Sequence, residues 1–255
     1  MTSARVTFLV GKPIERSPVL PQVAELLRHA GTTVQVHVPA ADAPLPNGLD
    51  DADLLVLRGL ADELLERLDP WAARCCNHPV ASRAMTDRWR LISMLGTAGI
   101  SVPTTRIATS WSQVLDAGDD LVVKAATAAT GRGAGVLLSG EPRPAEPGFT
   151  GPYLIQQPVG TDGFEAKLYV VGDQVRGVQR PAGRRGGGVP YEPAPREETM
   201  ALAVGRALGL EVYGVDVMVG SAGSWVVDVN VFPSAAKVPG AAAWIAAYLH
   251  ARARR

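Results

Sequence analysis

Lysine is nearly missing from these 255 residues: only 4 of the 25 basic residues are lysine (Lys12, Lys124, Lys167 and Lys237), and the rest are arginine. Ala, Gly and Pro are plentiful, so the shortage reads as a bias in base composition. A lysine kept against that bias marks a place where a compact ammonium does what a guanidinium cannot. Lys124, Lys167 and Lys237 fall in stretches that look functional on other grounds, although with four residues chance is the plain alternative. Cysteine is as scarce. Cys75 and Cys76 are sequence neighbours, a poor geometry for a disulfide, and no second pair exists to complete a zinc site, so both read as reduced structural thiols. Net charge is missing too, with 25 acidic against 25 basic residues, which removes the electrostatic footprint expected of a nucleic-acid or anionic-membrane binder. The basic cluster Arg252, Arg254 and Arg255 reads as a solvated helix end. No apolar run reaches membrane-spanning length and no basic-then-apolar leader is seen, so the expectation is a soluble cytoplasmic protein of one large or two small domains.

What is present begins with alternation. Apolar runs over 6–10, 34–38 and 54–57 alternate with helical patterns over 18–30, stopped by Gly31, and over 61–73, which predicts a small parallel sheet flanked by helices. A composition shift at Asn77-His-Pro-Val follows, and Ser82 is the expected cap of a helix running to residue 98.

The most informative stretch lies near the end, where Tyr213-Gly-Val-Asp-Val-Met-Val-Gly and Ser224-Trp-Val-Val-Asp-Val-Asn-Val flank a short turn, the composition of paired strands. If Val219 pairs with Trp225, Asp216 lies opposite Asp228. Asp228 and Asn230 then share a face with Asp216, and Gly214 sits opposite Asn230 and leaves space there, while Val215, Val217, Val227 and Val229 point into a core. Opposed carboxylates repel, so a positive charge belongs between them. Three oxygen donors with no His or Cys nearby suit a hard cation that also takes phosphate oxygens, and Mg2+ is the candidate. The plainer alternative is a solvated hairpin with scattered acids.

Upstream, Leu121-Val-Val-Lys precedes a small-residue loop with Gly131, Gly133 and Gly135. It is no Walker A loop, because no Gly-Lys-Ser/Thr follows, and no dinucleotide fingerprint, because a strand is expected after Gly135. Backbone amides of small residues beside Lys124 make a phosphate cover, with an ordinary hairpin tip as the alternative. A further hairpin turns at Gly172-Asp173 and places Glu165, Lys167 and Tyr169 on one face. Arg180, Arg184 and Arg185 border Gly186-Gly-Gly, either a loop without fixed structure or a lid that brings guanidinium groups to an anionic substrate.

Taken in order, these segments resemble the ATP-grasp superfamily, in its branch of ribosomal-protein S6 glutamate-ligase-like enzymes and inositol trisphosphate 5/6-kinases. The phrases that carry the resemblance are Thr86-Asp-Arg-Trp with Gly99-Ile-Ser-Val-Pro-Thr, Leu-Val-Val-Lys with its glycine loop, Glu165-Ala-Lys-Leu-Tyr-Val-Val-Gly-Asp, and Gly214-Val-Asp-Val-Met followed by Val227-Asp-Val-Asn-Val-Phe-Pro. The resemblance implies an α/β (α+β) ATP-grasp fold: an N-terminal parallel-sheet domain over 1–80, then an ATP-grasp domain over 81–255 whose halves, about 81–157 and 158–255, enclose ATP. It also implies that Arg88 and Lys124 contact the nucleotide phosphates, that Gln156, Gln157 and Val159 line the adenine through backbone groups, and that Glu165 holds the ribose. Lys167 and Arg180 would face the γ-phosphate or the acceptor, and Asp216, Asp228 and Asn230 would hold Mg2+.

The family usually has Lys where this chain has Arg88, and its ligases usually have Glu where Asp228 stands. The implied activity is ATP-dependent carboxylate–amine ligation through an acyl phosphate, on a small-molecule or peptide acceptor of anionic character. Asp228 and Lys237 resemble the kinase pattern, so phosphorylation of a hydroxyl is the alternative, and a nucleotide-binding module without turnover is a third. No nucleic acid or membrane partner is expected, and a homodimer is left open.

Overall fold

In a computed structural model, which describes residues 3–127, 135–182 and 187–255, four strands form a parallel sheet at the N-terminal end. They are β1 (Arg5–Val10), β2 (Thr33–His37), β3 (Leu54–Arg58) and β4 (Cys75–Cys76), in the order β2-β1-β3-β4. The inner strands are apolar on both faces because both faces are covered. Val6, Phe8 and Val10 pack toward α1 (Leu20–His29), while Leu9, Leu55 and Leu57 pack with Leu65 of α2 (Asp62–Arg67). Leu20, Val23, Ala24 and Leu27 make the buried stripe of α1. The Ser17 hydroxyl accepts from the amides at its start, and Gly31 ends it at φ +80. Both cysteines are buried free thiols, as expected.

Two helices differ from the sequence expectation. The one expected over 61–73 ends at Arg67 and gives way to a 3-10 helix over Asp69–Arg74, because Pro70 has no amide hydrogen with which to continue it. The one expected from Ser82 to residue 98 is two, α3 (Pro79–Ala84) and α4 (Arg88–Thr97). Asp87 breaks the run by leaving helical geometry, and its carboxylate accepts the Arg90 amide at 2.9 Å. The Arg88 amide is drawn to the Ala126 carbonyl at 2.8 Å, which ties the start of α4 to the next sheet.

That sheet is antiparallel and small: β5 (Thr105–Ala108), β6 (Val122–Ala125), β7 (Val136–Leu137) and β8 (Tyr153–Gln156), in the order β5-β8-β6-β7. α5 (Trp111–Asp116) covers one face through Val114, against Ala108, Val123, Tyr153 and Ile155. The chain then enters a five-stranded antiparallel sheet of β9 (Phe164–Val171), β10 (Gln174–Pro181), β11 (Val189–Tyr191), β12 (Val212–Gly220) and β13 (Gly223–Val231), in the order β11-β10-β9-β12-β13. The connector between the two sheets lies tight on the end of β12. A Cβ on Gly163 would stand 1.8 Å from the Val219 carbonyl oxygen, so no side chain fits there.

One face of the five-stranded sheet is a core. Ala166, Leu168, Val170, Val215, Val217 and Val229 pack on α4 and on α6 (Pro195–Leu208). α6 begins where Glu197 accepts from the Ala194 amide and the Tyr191 hydroxyl, and stops at Gly209 in left-handed geometry. The last helix, α7 (Ala241–Arg252), packs Trp244, Ile245 and Leu249 into the same cluster as Val23 and Leu27 of α1 and Tyr169 and Val178 of the large sheet. The parallel sheet and the large sheet therefore share one core through the C-terminal helix.

Candidate active site

The other face of the large sheet carries the charges, and register explains why. Asp216 is directly opposite Asp228 on β13 and opposite Lys167 on β9, while Gly214 is opposite Asn230. The Asp216–Asp228 and Gly214–Asn230 pairings are those expected from the sequence, but the pairing with Lys167 was not foreseen and the turn differs. Val219 pairs with Ser224 and Met218 with Trp225, one residue out of the expected register. A bulge between Asp216 and Val217 absorbs the difference, because Val217 faces Val226 and leaves Val227 as the extra residue. Val226 is buried and Val227 is half-exposed, so the core position expected at Val227 belongs to Val226.

The bulge has a use. Lys124, on β6 of the small sheet, donates from Nζ to the Val227 carbonyl at 2.8 Å, so a lysine from one sheet reaches the hairpin of the other. Beside it, Arg88 donates from Nη1 to the Ala125 carbonyl at 3.0 Å. The break between α3 and α4, which the sequence did not announce, sets this position.

Lys167 Nζ lies 2.8 Å from Asp216 Oδ1 and 3.2 Å from Oδ2, and Asn230 Nδ2 donates weakly to the same carboxylate at 3.4 Å. Asp228 has no cation within ion-pair distance among the described residues, and its Oδ1 accepts only from the Val229 amide. Burial, then the neighbouring Asp216 charge, push its carboxyl above the ordinary range, and Lys124, Arg88 and Lys167 pull it back only in part. Burial also lowers the Lys124 ammonium. For Lys167 burial acts in the same sense, but the Asp216 charge and hydrogen bond, together with Tyr169 and Asp228, outweigh it and the net shift is upward. Two opposed carboxylates, one of them half-buried without a paired cation among the described residues, and an amide oxygen alongside suit a hard divalent cation. Three cationic side chains, Lys124 and Lys167 from the two sheets and Arg88 from the start of α4, suit a polyphosphate. The residues present therefore fit Mg2+ with a nucleoside triphosphate.

The remaining expected residues fall around this centre. Glu165 and Arg180 are cross-strand partners on β9 and β10 and form an ion pair. Gln156 is buried and turns its side chain to the Thr105 hydroxyl, 2.9 Å away. Gln157 and Val159 lie on the connector between the sheets, Gln157 exposed and Val159 half-buried. Arg184, Arg185, Gly131 and Gly133 lie outside the described residues. One residue beside the site was missed. Arg58, at the end of β3, donates from Nε to the Phe232 carbonyl at 3.0 Å, just past the β12–β13 hairpin. Arginine is so common in this chain that its residue type gave no signal.

Among the described residues no helix is long and apolar enough to cross a membrane. Comparison with known proteins agrees with the geometry. The model of the RimK-like ATP-grasp domain matches residues 85–243. The ribosomal protein bS6–L-glutamate ligase of Shigella flexneri is 30% identical over 179 residues, 62% of this chain and 59% of that protein. The chain spans about three fifths of the length of the curated relatives it matches. A RimK-domain ATP-grasp protein of Sphaerobacter thermophilus superposes with a TM-score of 0.69 at 22% identity, covering 96% of this chain and 99% of that one. The ATP-grasp ligase PsnB, solved with a minimal precursor variant, Mg and ADP, also gives 0.69, at 18% identity over 99% of each chain.

Proposed function

From the premise that this chain belongs to the RimK-like ATP-grasp family, we propose that it is an ATP-dependent carboxylate–amine ligase. A carboxylate oxygen of the acceptor attacks the γ-phosphorus of ATP and the bond to ADP breaks. An amine nitrogen then attacks the acyl carbon of the resulting acyl phosphate, phosphate departs, the amine loses a proton, and an amide remains. The observation that carries this reading is the charged face: Asp216 opposite Asp228, with Lys167 and Asn230 on the same face and Lys124 arriving from the facing sheet.

On this reading residues 81–157 and 158–255 enclose the nucleotide, and residues 1–80 precede them. Asp216, Asp228 and Asn230 hold Mg2+, which neutralises phosphate charge when bound. Lys124 and Arg88 hold the nucleotide phosphates, and Lys167 and Arg180 meet the transferred phosphoryl group or the acceptor. The Lys124 bond to Val227 and the Lys167 bond to Asp216 are then the contacts that these ammonium groups make before phosphates take them. Gln156, Gln157 and Val159 line the adenine through their backbones, and Glu165 holds the ribose. Such a site needs no acid–base triad, because its work is charge neutralisation and alignment. The acceptor is a peptide or small molecule with a free carboxylate, and the cytoplasm, where ATP is made available, is the compartment.

Hydroxylamine distinguishes this reaction from phosphorylation of a hydroxyl. With ATP, Mg2+ and a panel of carboxylate acceptors that includes L-glutamate and a glutamate-terminated peptide, a ligase forms a hydroxamate and releases phosphate in step with ADP. Phosphate that stays on a hydroxyl-bearing acceptor, with no hydroxamate, replaces the ligase by a kinase.

A further inference from the structure

The parallel sheet has an order, β2-β1-β3-β4, in which the chain leaves β1 to one side and returns on the other. Sheets of this kind bind ligands in the crevice beyond the carboxyl ends of the two strands where that reversal occurs, here β1 and β3. Those ends are Val10 and Arg58, which are register partners. Past them the two backbones come together: the Gly11 amide donates to the Arg58 carbonyl at 2.9 Å, and a Cβ on Gly11 would stand 1.8 Å from the Gly59 oxygen. A side chain at residue 11 therefore has no room.

The loop that leaves β3 also walls the candidate active site. Its Arg58 reaches the Phe232 carbonyl, two residues beyond Asn230. A little further on, Asp62 accepts from the Thr86 hydroxyl at 3.3 Å, two residues before Arg88. The loop thus touches the proposed metal hairpin on one side and the proposed phosphate-binding helix start on the other. Phe232 and Ala235, on the segment that Arg58 meets, hold φ values of +43 and +47, a conformation that residues with side chains avoid and that clusters at ligand sites. Arg58 itself is half-buried, and among the described residues no carboxylate lies within ion-pair distance of its guanidinium. Burial lowers its affinity for the proton from the usual arginine value, the mark of a charge taken from water without a countercharge. With Nε used on Phe232, the two terminal nitrogens remain to meet an anion.

We propose that Arg58 is a specificity-determining residue that binds a carboxylate of the acceptor in the crevice between β1 and β3, and so presents the acceptor to the charged face of the large sheet. The proposal rests on the ligase reading for the word acceptor but is tested by binding alone, so loss of hydroxamate formation and loss of this site are separable results. The full-length protein is titrated calorimetrically with glutarate and with a tri-glutamate peptide, each in the presence of Mg2+ and a non-hydrolysable ATP analogue. Arg58→Lys keeps charge and length but loses the fork, and Arg58→Gln keeps a donor for Phe232 and loses the charge. We expect both variants to melt as the parent does, to bind the analogue with unchanged affinity, and to bind at least one acidic probe roughly tenfold more weakly, with Arg58→Gln the weaker. The proposal is overturned if the parent binds neither probe, or if folded variants bind the probes as the parent does. It is overturned also if nucleotide affinity falls together with probe affinity, because Arg58 then belongs to the nucleotide.

Discussion

The two faces of the five-stranded sheet are built from alternate residues of the same strands, yet different demands fix them. On one face Ala166, Leu168, Val215 and Val217 are fully buried against α4 and α6. On the other Glu165, Lys167, Asp216 and Asp228 stand partly covered, with like charges directly opposed. The apolar face holds the fold together. The charged face costs stability, and on the proposed reading what it offers in return is a place for a cation and phosphates. A one-residue slip anywhere along β12 or β13 would exchange the faces, which is why the bulge at Val227 matters: it restores alternation that the turn would otherwise put out of step.

The largest expected effect falls on the charged face. Asp228→Asn should lower Mg2+-dependent ATP turnover by roughly 10³-fold, the upper part of what one preorganised charge contributes, while the metal-free protein melts at the same temperature or higher. A variant that turns over normally, or that unfolds, would mean that the faces do not divide the work in this way. On the apolar face Leu168→Ala should cost about 3 kcal/mol of stability, measured by urea unfolding, with turnover per folded molecule retained. Loss of turnover in the folded fraction would couple the two faces. Lys124→Ala should slow turnover by roughly 10²-fold, about 2.7 kcal/mol. Its stability should move by no more than about 1 kcal/mol, since only the hydrogen bond to Val227 is lost. The smallest effect sharpens the comparison most finely. Val226→Ala should cost about 2 kcal/mol and Val227→Ala less than about 0.5 kcal/mol. The register expected from the sequence predicts the reverse order.

Much of the charged face was legible because its signal is periodic. Asp216, Asp228 and Asn230 sit at spacings that put them on one side of a regular hairpin in which Val219 pairs with Trp225, and Glu165 and Lys167 share one side of β9. What was not legible is what breaks periodicity. The bulge leaves the valine run 226–227 unchanged in type, so composition could not say which valine faces inward. The end of α3 is hidden because Ser82 to residue 98 is helix-compatible throughout, and only the pull of Ala126 on the Arg88 amide turns Asp87 into a cap. Arg58 was illegible because its place depends on two strand ends meeting across the fold. The same holds for the shared core under α7, which joins residues more than 200 positions apart, among them Val23 and Trp244.

The central claim is that the opposed carboxylates of β12 and β13 exist to hold a divalent cation on nucleotide phosphates. The most direct test is calorimetric titration of a non-hydrolysable ATP analogue into the parent and into Asp228→Asn, each with and without Mg2+. The account predicts that Mg2+ tightens binding to the parent at least tenfold and leaves the variant's affinity nearly unchanged. Equal tightening in both proteins would contradict it.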